Sequence, residues 1–283
     1  MRTYLVTGAN SGLGLETTRA LAARGGRVIL AVRDVARGEA AKAEVLAQHP
    51  GASLSVERLD LMDLASVRAL GVKDLGVDVL IANAGMGSGP LRLSPQGVVE
   101  PFAANHLGHF VLAASMFEQL AQRSDARIVT VTSGFGRKGT MDLDDLDGHR
   151  GYSQGKAYMQ SKLANALFGA ELDRRLRARG SSVRSVLAHP GVAATPMQQK
   201  PTGLMGVLSK TISAVFARPA ANGAWPTVEA ATAADAHGGD IYGPGRGKND
   251  APRKEATWPS MKDVEGARLL WKRSEELAGL TFL

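Results

Sequence analysis

The chain predicts an α/β fold: a doubly wound, parallel β-sheet with helices on both faces, spanning residues 1–283 as one domain. Three observations lead there. Short runs rich in Val, Ile and Leu alternate with longer helical stretches through the first two-thirds of the sequence. Those runs are continuously apolar instead of alternating, as strands are when both sheet faces are covered. No Pro/Ser-rich linker divides the 283 residues, and no repeat stands out beyond the strand–helix alternation itself.

In chain order, strands are expected at 3–7, 27–32, 54–58, 79–82, 127–132, 183–188 and 240–242. Helices are expected at 12–24, 35–48, 64–70, 97–122, 157–179 and 223–235, with a last amphipathic helix at 261–280. The irregular stretches are 135–156, 195–219 and 243–259. In such a sheet, ligands sit outside the carboxyl ends of the strands, where these loops converge.

Composition removes several function classes. With no cysteine, thiolate catalysis, disulfides and Cys-type zinc sites are excluded. Six scattered histidines show no metal-ligand spacing, so no metal is expected. No GxSxG elbow supports a serine hydrolase. No apolar run reaches the roughly 20 residues of a membrane span, and nothing reads as a signal peptide, so a cytoplasmic protein without a membrane anchor is expected. The net charge of +7 is dispersed; even 174–179 alternates with Leu176 and Ala178 on a solvated helix face. Nucleic acid is therefore not an expected partner.

The first strand runs into Gly8-Ala9-Asn10-Ser11-Gly12-Leu13-Gly14 and then into a helix. Glycines between a first strand and a first helix mark a Rossmann-type dinucleotide loop, in which a helix N-terminus meets a pyrophosphate. The spacing is TGxxxGxG instead of GxGxxG. Downstream, Tyr158 and Lys162 stand at i, i+4 on one face of a helix. An ammonium beside a phenol favours the phenolate, lowering its pKa from about 10 and giving an acid/base for carbonyl and alcohol chemistry. Ser133 ends the fifth strand upstream. Tyr152 also has a lysine, Lys156, four residues on, but lies in a glycine-interrupted loop.

These features resemble the short-chain dehydrogenase/reductase family. Nearly the whole chain is similar to its retinol-dehydrogenase and protochlorophyllide-reductase-like branch, through TGANSGLG (7–14), AVRD (31–34), NHLGHF (105–110), AYMQSKLAN (157–165) and HPG (189–191). The resemblance implies Tyr158 as acid/base, Ser133 orienting the substrate oxygen, and Lys162 holding the nicotinamide ribose and depressing the Tyr158 pKa. It also implies that Asn105 positions a water between Lys162 and solvent. Cofactor contacts would come from Gly8, Asn10, Ser11, Gly12, Leu13 and Gly14, from Asp60 and Leu61, and from Asn83, Ala84 and Gly85. Pro190, Gly191, Val192 and Thr195 would complete them. His106 and His109 have no role in that mechanism and are expected to pack helices. The branch's cysteine contribution and the N-terminal anchor of many retinol dehydrogenases are missing.

Cofactor choice rests on two neighbouring residues. An acid about 20 positions past the glycine loop ordinarily marks NAD, and Asp34 sits near that distance. By the family's pattern, however, the selecting acid stands where Val32 is, and an arginine at the next place marks NADP. Arg33 fits, with Arg37 a helical turn on. NADP(H) is favoured and NAD(H) remains possible.

The stretch between Ser133 and Tyr158 is longer than in tetrameric relatives, which favours a monomer or dimer. A flap at 195–219, apolar through Met197, Leu204, Met205, Leu208 and Phe216, points to a hydrophobic ketone or aldehyde, or its alcohol. The alternative is a protein that binds NADPH as a sensor or scaffold without turnover.

Overall fold

Alternate side chains of the central strands part to opposite faces of one sheet. Leu5 pairs in register with Ile29 and Leu80, and Leu80 with Ile128; this row is fully buried in one core. The next row, Val6 with Leu30 and Ile81, and Ile81 with Val129, is fully buried in the other. Two-sided burial is what the continuously apolar runs predict, and each such side chain contributes roughly 1.5–3 kcal/mol.

The computed structural model describes residues 1–191, 220–247 and 249–283. The expected flap, with Val192 and Thr195, lies outside the described residues. The strands are β1 (Thr3–Thr7), β2 (Arg27–Val32), β3 (Leu54–Arg58), β4 (Val79–Ala82), β5 (Arg127–Val131), β6 (Arg184–Ala188), β7 (Ile241–Gly243) and β8 (Arg253–Glu255). Their order is β3-β2-β1-β4-β5-β6-β7-β8. Every pairing is parallel except that of β8, which adds antiparallel to β7. The order reverses between β1 and β4, and a crevice opens beyond their carboxyl ends.

Helices α1 (Gly12–Ala23) and α2 (Val35–Gln48) follow β1 and β2; α3 (Leu64–Gly71) follows β3. After β4 come α4 (Glu100–Phe102), a π-turn (Ala103–Leu107) and α5 (Gly108–Ala121). The long α6 (Gln154–Ala178) precedes β6, α7 (Ala220–Thr232) precedes β7, and α8 (Val264–Ala278) closes the chain.

Three expectations need correction. The single helix expected at 97–122 begins at Glu100 and carries a π-turn, because the apolar pattern persists through a locally wider turn that periodicity does not register. Helix α6 starts three residues before the expected 157, where Ser153 caps it by accepting from Lys156 N. The stretch 243–259 holds β8, a charged Arg-Lys-Glu strand with no alternation to betray it. The segment between Ser133 and α6 packs inward: Leu146 is buried, its carbonyl accepts from Val99 N, and the Asp142 carbonyl accepts from Gln160 Nε2.

Helix α8 is held through Trp271. Its indole is buried, stacks on Phe168 and Phe282 at 5.7 and 5.1 Å, meets Phe110 edge-on, and donates from Nε1 to the Phe282 carbonyl at 3.1 Å. The Arg175 guanidinium covers the ring at 4.3 Å. Replacing Trp271 by Ala should cost about 3–5 kcal/mol, read as a lowered urea midpoint with unchanged m. A loss under about 1 kcal/mol would mean that α8 is not anchored by this ring.

Candidate active site

The crevice at the strand-order reversal is a cleft of about 540 Å³. It starts at the glycine loop. Gly8 has φ +65°, and a Cβ on Gly14 would lie 2.3 Å from the Gly8 carbonyl oxygen, so the loop folds this tightly only with glycine there. Ser11 is extended at the head of α1 but makes no side-chain cap, and no acid occupies the first turn. The N–H groups and positive end of α1 therefore face the cleft, beside Asn10, Gly12 and Leu13, without a protein carboxylate in the way. This is the arrangement an anionic dinucleotide requires, and the loop fits one.

At the far end stand Arg33, Asp34 and Arg37. Asp34 caps α2, its Oδ1 accepting from Arg37 N at 3.1 Å. Both guanidinium groups are exposed, and no ion pair holds either among the described residues. Asp60 and Leu61 line the same end; Asp60 Oδ1 accepts from Met62 N at 3.0 Å, which fixes the turn after β3.

The floor of the cleft is Asn83-Ala84-Gly85, tied to Thr7 at the end of β1. Thr7 Oγ1 accepts from Asn83 N at 2.9 Å and from Ala84 N at 2.8 Å, and Asn83 Nδ2 donates to the Thr7 carbonyl at 2.8 Å. A Cβ on Gly85 would sit 3.2 Å from Lys162 Nζ and 3.4 Å from Asn105 Oδ1. Gly85 thus lets the cleft reach both groups.

Ser133 stands two residues past β5 and accepts from Phe135 N at 3.3 Å, capping a short 3₁₀ turn over Gly134–Lys138. Its hydroxyl lies close enough to the Tyr158 hydroxyl to lower the phenol's pKa. Lys162, one helical turn beyond Tyr158, is buried, with Nζ donating to the Val131 carbonyl at 3.4 Å; the Thr132 hydroxyl donates to the Lys162 carbonyl at 2.6 Å. Asn105 is fully buried in the π-turn. Its Oδ1 accepts from Met86 N at 2.7 Å, and its Nδ2 donates to the Met86 carbonyl and to Ser161 Oγ, each at 3.0 Å. Side-chain bonds to protein are therefore what the structure gives Asn105.

The comparisons with known proteins bear on this geometry. Residues 2–203 match the family described as short chain dehydrogenase. The chain is 35% identical to human retinol dehydrogenase 12 and 36% identical to human retinol dehydrogenase 13, covering 99% of itself and 87% and 85% of those proteins. The chain belongs to the short-chain dehydrogenase family. It is an NAD(P)-dependent oxidoreductase with the fold of its relatives and lies in their retinol-dehydrogenase-like branch. An uncharacterized protein of Mycobacterium paratuberculosis is 39% identical, with a TM-score of 0.82 over 100% of this chain and 95% of that one. A short-chain dehydrogenase from Sphingobium yanoikuyae, in complex with NADPH, shares the fold at 22% identity and TM-score 0.62, over 81% of this chain and 84% of that one.

Most of the expected site of this short-chain dehydrogenase comes together at the cleft. Pro190 and Gly191 lie at the end of β6; Gly191 has φ +67° and its N–H donates to His189 Nδ1 at 3.3 Å. Tyr152 is set apart, its hydroxyl donating to the Gly89 carbonyl at 2.7 Å. Sequence reasoning passed over Thr7, Ser161 and His109. Thr7 had one signal, a polar residue closing the strand directly before the glycine loop. A larger groove of about 770 Å³, between 141–147 and α8, carries none of the chemical groups named here. Among the described residues no three His, Asp or Glu side chains are grouped to hold a metal. Nor is any helix there long and apolar enough to cross a membrane.

One electrostatic expectation is corrected. Burial pushes the Tyr158 phenol up, against a smaller lowering from the Ser133 hydroxyl, and Lys162 does not offset it in the free protein. Lys162 is itself desolvated, which brings its pKa down from 10.5 to about 8. The sign for stability follows. Between pH 8 and 10.5 the unfolded chain holds this proton and the folded chain has released it, so folding gains stability as pH rises through that window. Lys162→Met should therefore be stabilised relative to wild type at pH 7, with the gap closing toward pH 10 in urea titrations. A gap that stays constant over that range would contradict the burial-driven shift.

Proposed function

We propose that this short-chain dehydrogenase uses NADP(H) to interconvert a hydrophobic ketone or aldehyde and its alcohol. The observation that carries the cofactor choice is the Asp34 carboxylate. It caps α2 on Arg37 N, while Arg33 and Arg37 present two exposed cations to the cleft. A 2′-phosphate suits that pair, and a charge-assisted contact of roughly 1.5–3 kcal/mol amounts to a tenfold to hundredfold preference. When bound, the nicotinamide supplies or takes up the hydride. The glycine loop and α1 N-terminus would hold its pyrophosphate, and Lys162 its ribose.

The proton is the chain's own contribution. The Tyr158 phenol, kept protonated by burial, donates to the carbonyl oxygen in reduction and takes the proton back in oxidation. Ser133, beside the same hydroxyl, orients the substrate oxygen. Asn105 fixes Met86 and Ser161 around them. The apolar substrate class is supported by Phe135, which is 53% exposed with its ring edge-on to Tyr158 at 6.3 Å, and by the exposed Leu91 and Leu93. A sensor without turnover would have no use for this acid–base set.

Side-by-side titration with NADPH and NADH, read by nicotinamide fluorescence, tests the cofactor. NADPH should bind at least about tenfold tighter, and Arg33→Ala should remove most of that preference while leaving NADH binding unchanged. Equal affinities in wild type would overturn the NADP assignment. Tyr158→Phe should keep NADPH binding and lose carbonyl reduction by a factor on the order of 10² or more. Retained turnover would remove Tyr158 from its role.

A further inference from the structure

His109 was expected only to pack α5, and its neighbour His106 does so among Phe102, Phe110 and Phe168. His109 differs, because both of its ring nitrogens are engaged. Nδ1 lies 2.9 Å from the Asn105 carbonyl oxygen and Nε2 lies 2.8 Å from Thr7 Oγ1. The partners decide where the protons are. A carbonyl only accepts, so Nδ1 carries the hydrogen and Nε2 is bare. Thr7 Oγ1 already accepts two backbone N–H groups, from Asn83 and Ala84, and its one hydrogen has two acceptors in reach, His109 Nε2 at 2.8 Å and the Ile81 carbonyl at 3.3 Å, of which Nε2 is the nearer. The ring is 2% exposed, and burial holds it neutral, with a pKa lowered to about 4.

We propose that His109 is a positioning residue of the active site, a neutral Nδ1–H clamp joining the Asn105 π-turn to the ends of β1 and β4. It touches neither the cleft nor Tyr158. Its action is through what it holds: the Asn105 backbone, whose side chain fixes Met86 and Ser161, and the Thr7 hydroxyl, which fixes Asn83 and Ala84 in the cleft floor. The acid–base helix and the cofactor floor thereby share one buried ring. This inference rests on the oxidoreductase reading above.

The first test needs no substrate. In ¹⁵N-histidine spectra of the free protein at neutral pH, His109, assigned by its loss in His109→Phe, should show a protonated Nδ1 and an unprotonated Nε2. The opposite tautomer or a charged ring would overturn the clamp. The second test splits the two bonds. Asparagine can place an amide N–H near the Nδ1 position, and glutamine can place an acceptor near Nε2. His109→Phe should lower kcat for NADPH-dependent carbonyl reduction on the order of tenfold or more, at a thermal midpoint high enough to assay. His109→Asn should recover more of kcat than His109→Gln if the Asn105 bond is the one that counts for catalysis, and the reverse order would move that weight to Thr7. A kcat in His109→Phe within about twofold of wild type would overturn the positioning role. Should the wild type bind NADPH and reduce no carbonyl substrate, the functional reading fails, and the tautomer measurement alone then decides whether the clamp exists.

Discussion

Everything chemical in this protein hangs on how the carboxyl ends of β1 and β4 are joined. The two strands pair over Tyr4–Val6, and just beyond that pairing the strand order reverses. A crevice between diverging parallel strands exposes backbone groups that the ladder no longer satisfies. Thr7 supplies what is missing: its hydroxyl takes two backbone N–H groups of the next turn and its carbonyl takes the Asn83 amide. Asn83 Nδ2 lies where a side chain on Gly14 would have to go, so the same bonds bring the glycine loop against the floor. Valine, of nearly the same shape, would leave the Ala84 N–H unpaired and the Asn83 N–H with only its 2.9 Å bond to the Ile81 carbonyl, a larger penalty than the lost bond itself.

The price of a dry crevice is electrostatic. Burial that excludes water from Tyr158 and Lys162 disfavours both ionised forms, which is why the phenol is raised and the ammonium lowered in the free protein. A protonated phenol is the form that carbonyl reduction consumes, so this resting state is already the competent acid for that direction. On the function proposed above, Lys162 would serve less by drawing a proton off Tyr158 than by donating hydrogen bonds past Gly85 to a bound cofactor.

Much of this was legible in the sequence, and the illegible parts share a cause. The parallel sheet, the glycine loop, and Tyr158 with Lys162 are written as runs and spacings, which survive translation into structure because strands and helices have fixed periods. Features set by hydrogen-bond competition were not. Asp34 could be a ribose ligand by spacing or a helix cap by chemistry, and the cap on Arg37 N is visible only in the fold. His109 looks like any helix-facing ring until Thr7 and Asn105, 102 and 4 residues away, are placed against it. The π-turn adds a wider turn without disturbing the apolar stripe, and β8 consists of three charged residues that only the neighbouring strand makes into a strand.

The same competition explains how a basic chain keeps its anion site open. Helices α2 and α3 are each capped by an aspartate, Asp34 on Arg37 N and Asp63 on Ala65 N. Helix α1 has serine at that place and leaves it unused. An aspartate at Ser11 would cap α1 better and would be preferred for stability alone, since a carboxylate at a helix N-terminus gains both the hydrogen bond and the dipole. It would also put a negative charge where the pyrophosphate belongs. The serine is thus a concession of local stability to binding. Asp34 is the complementary case: its carboxylate caps α2 through Arg37 N while it stands in the cleft lining between Arg33 and Arg37. The uncapped α1 N-terminus leaves the near end of the cleft positive, and the exposed Arg33 and Arg37 at the far end are what the proposed NADP preference rests on.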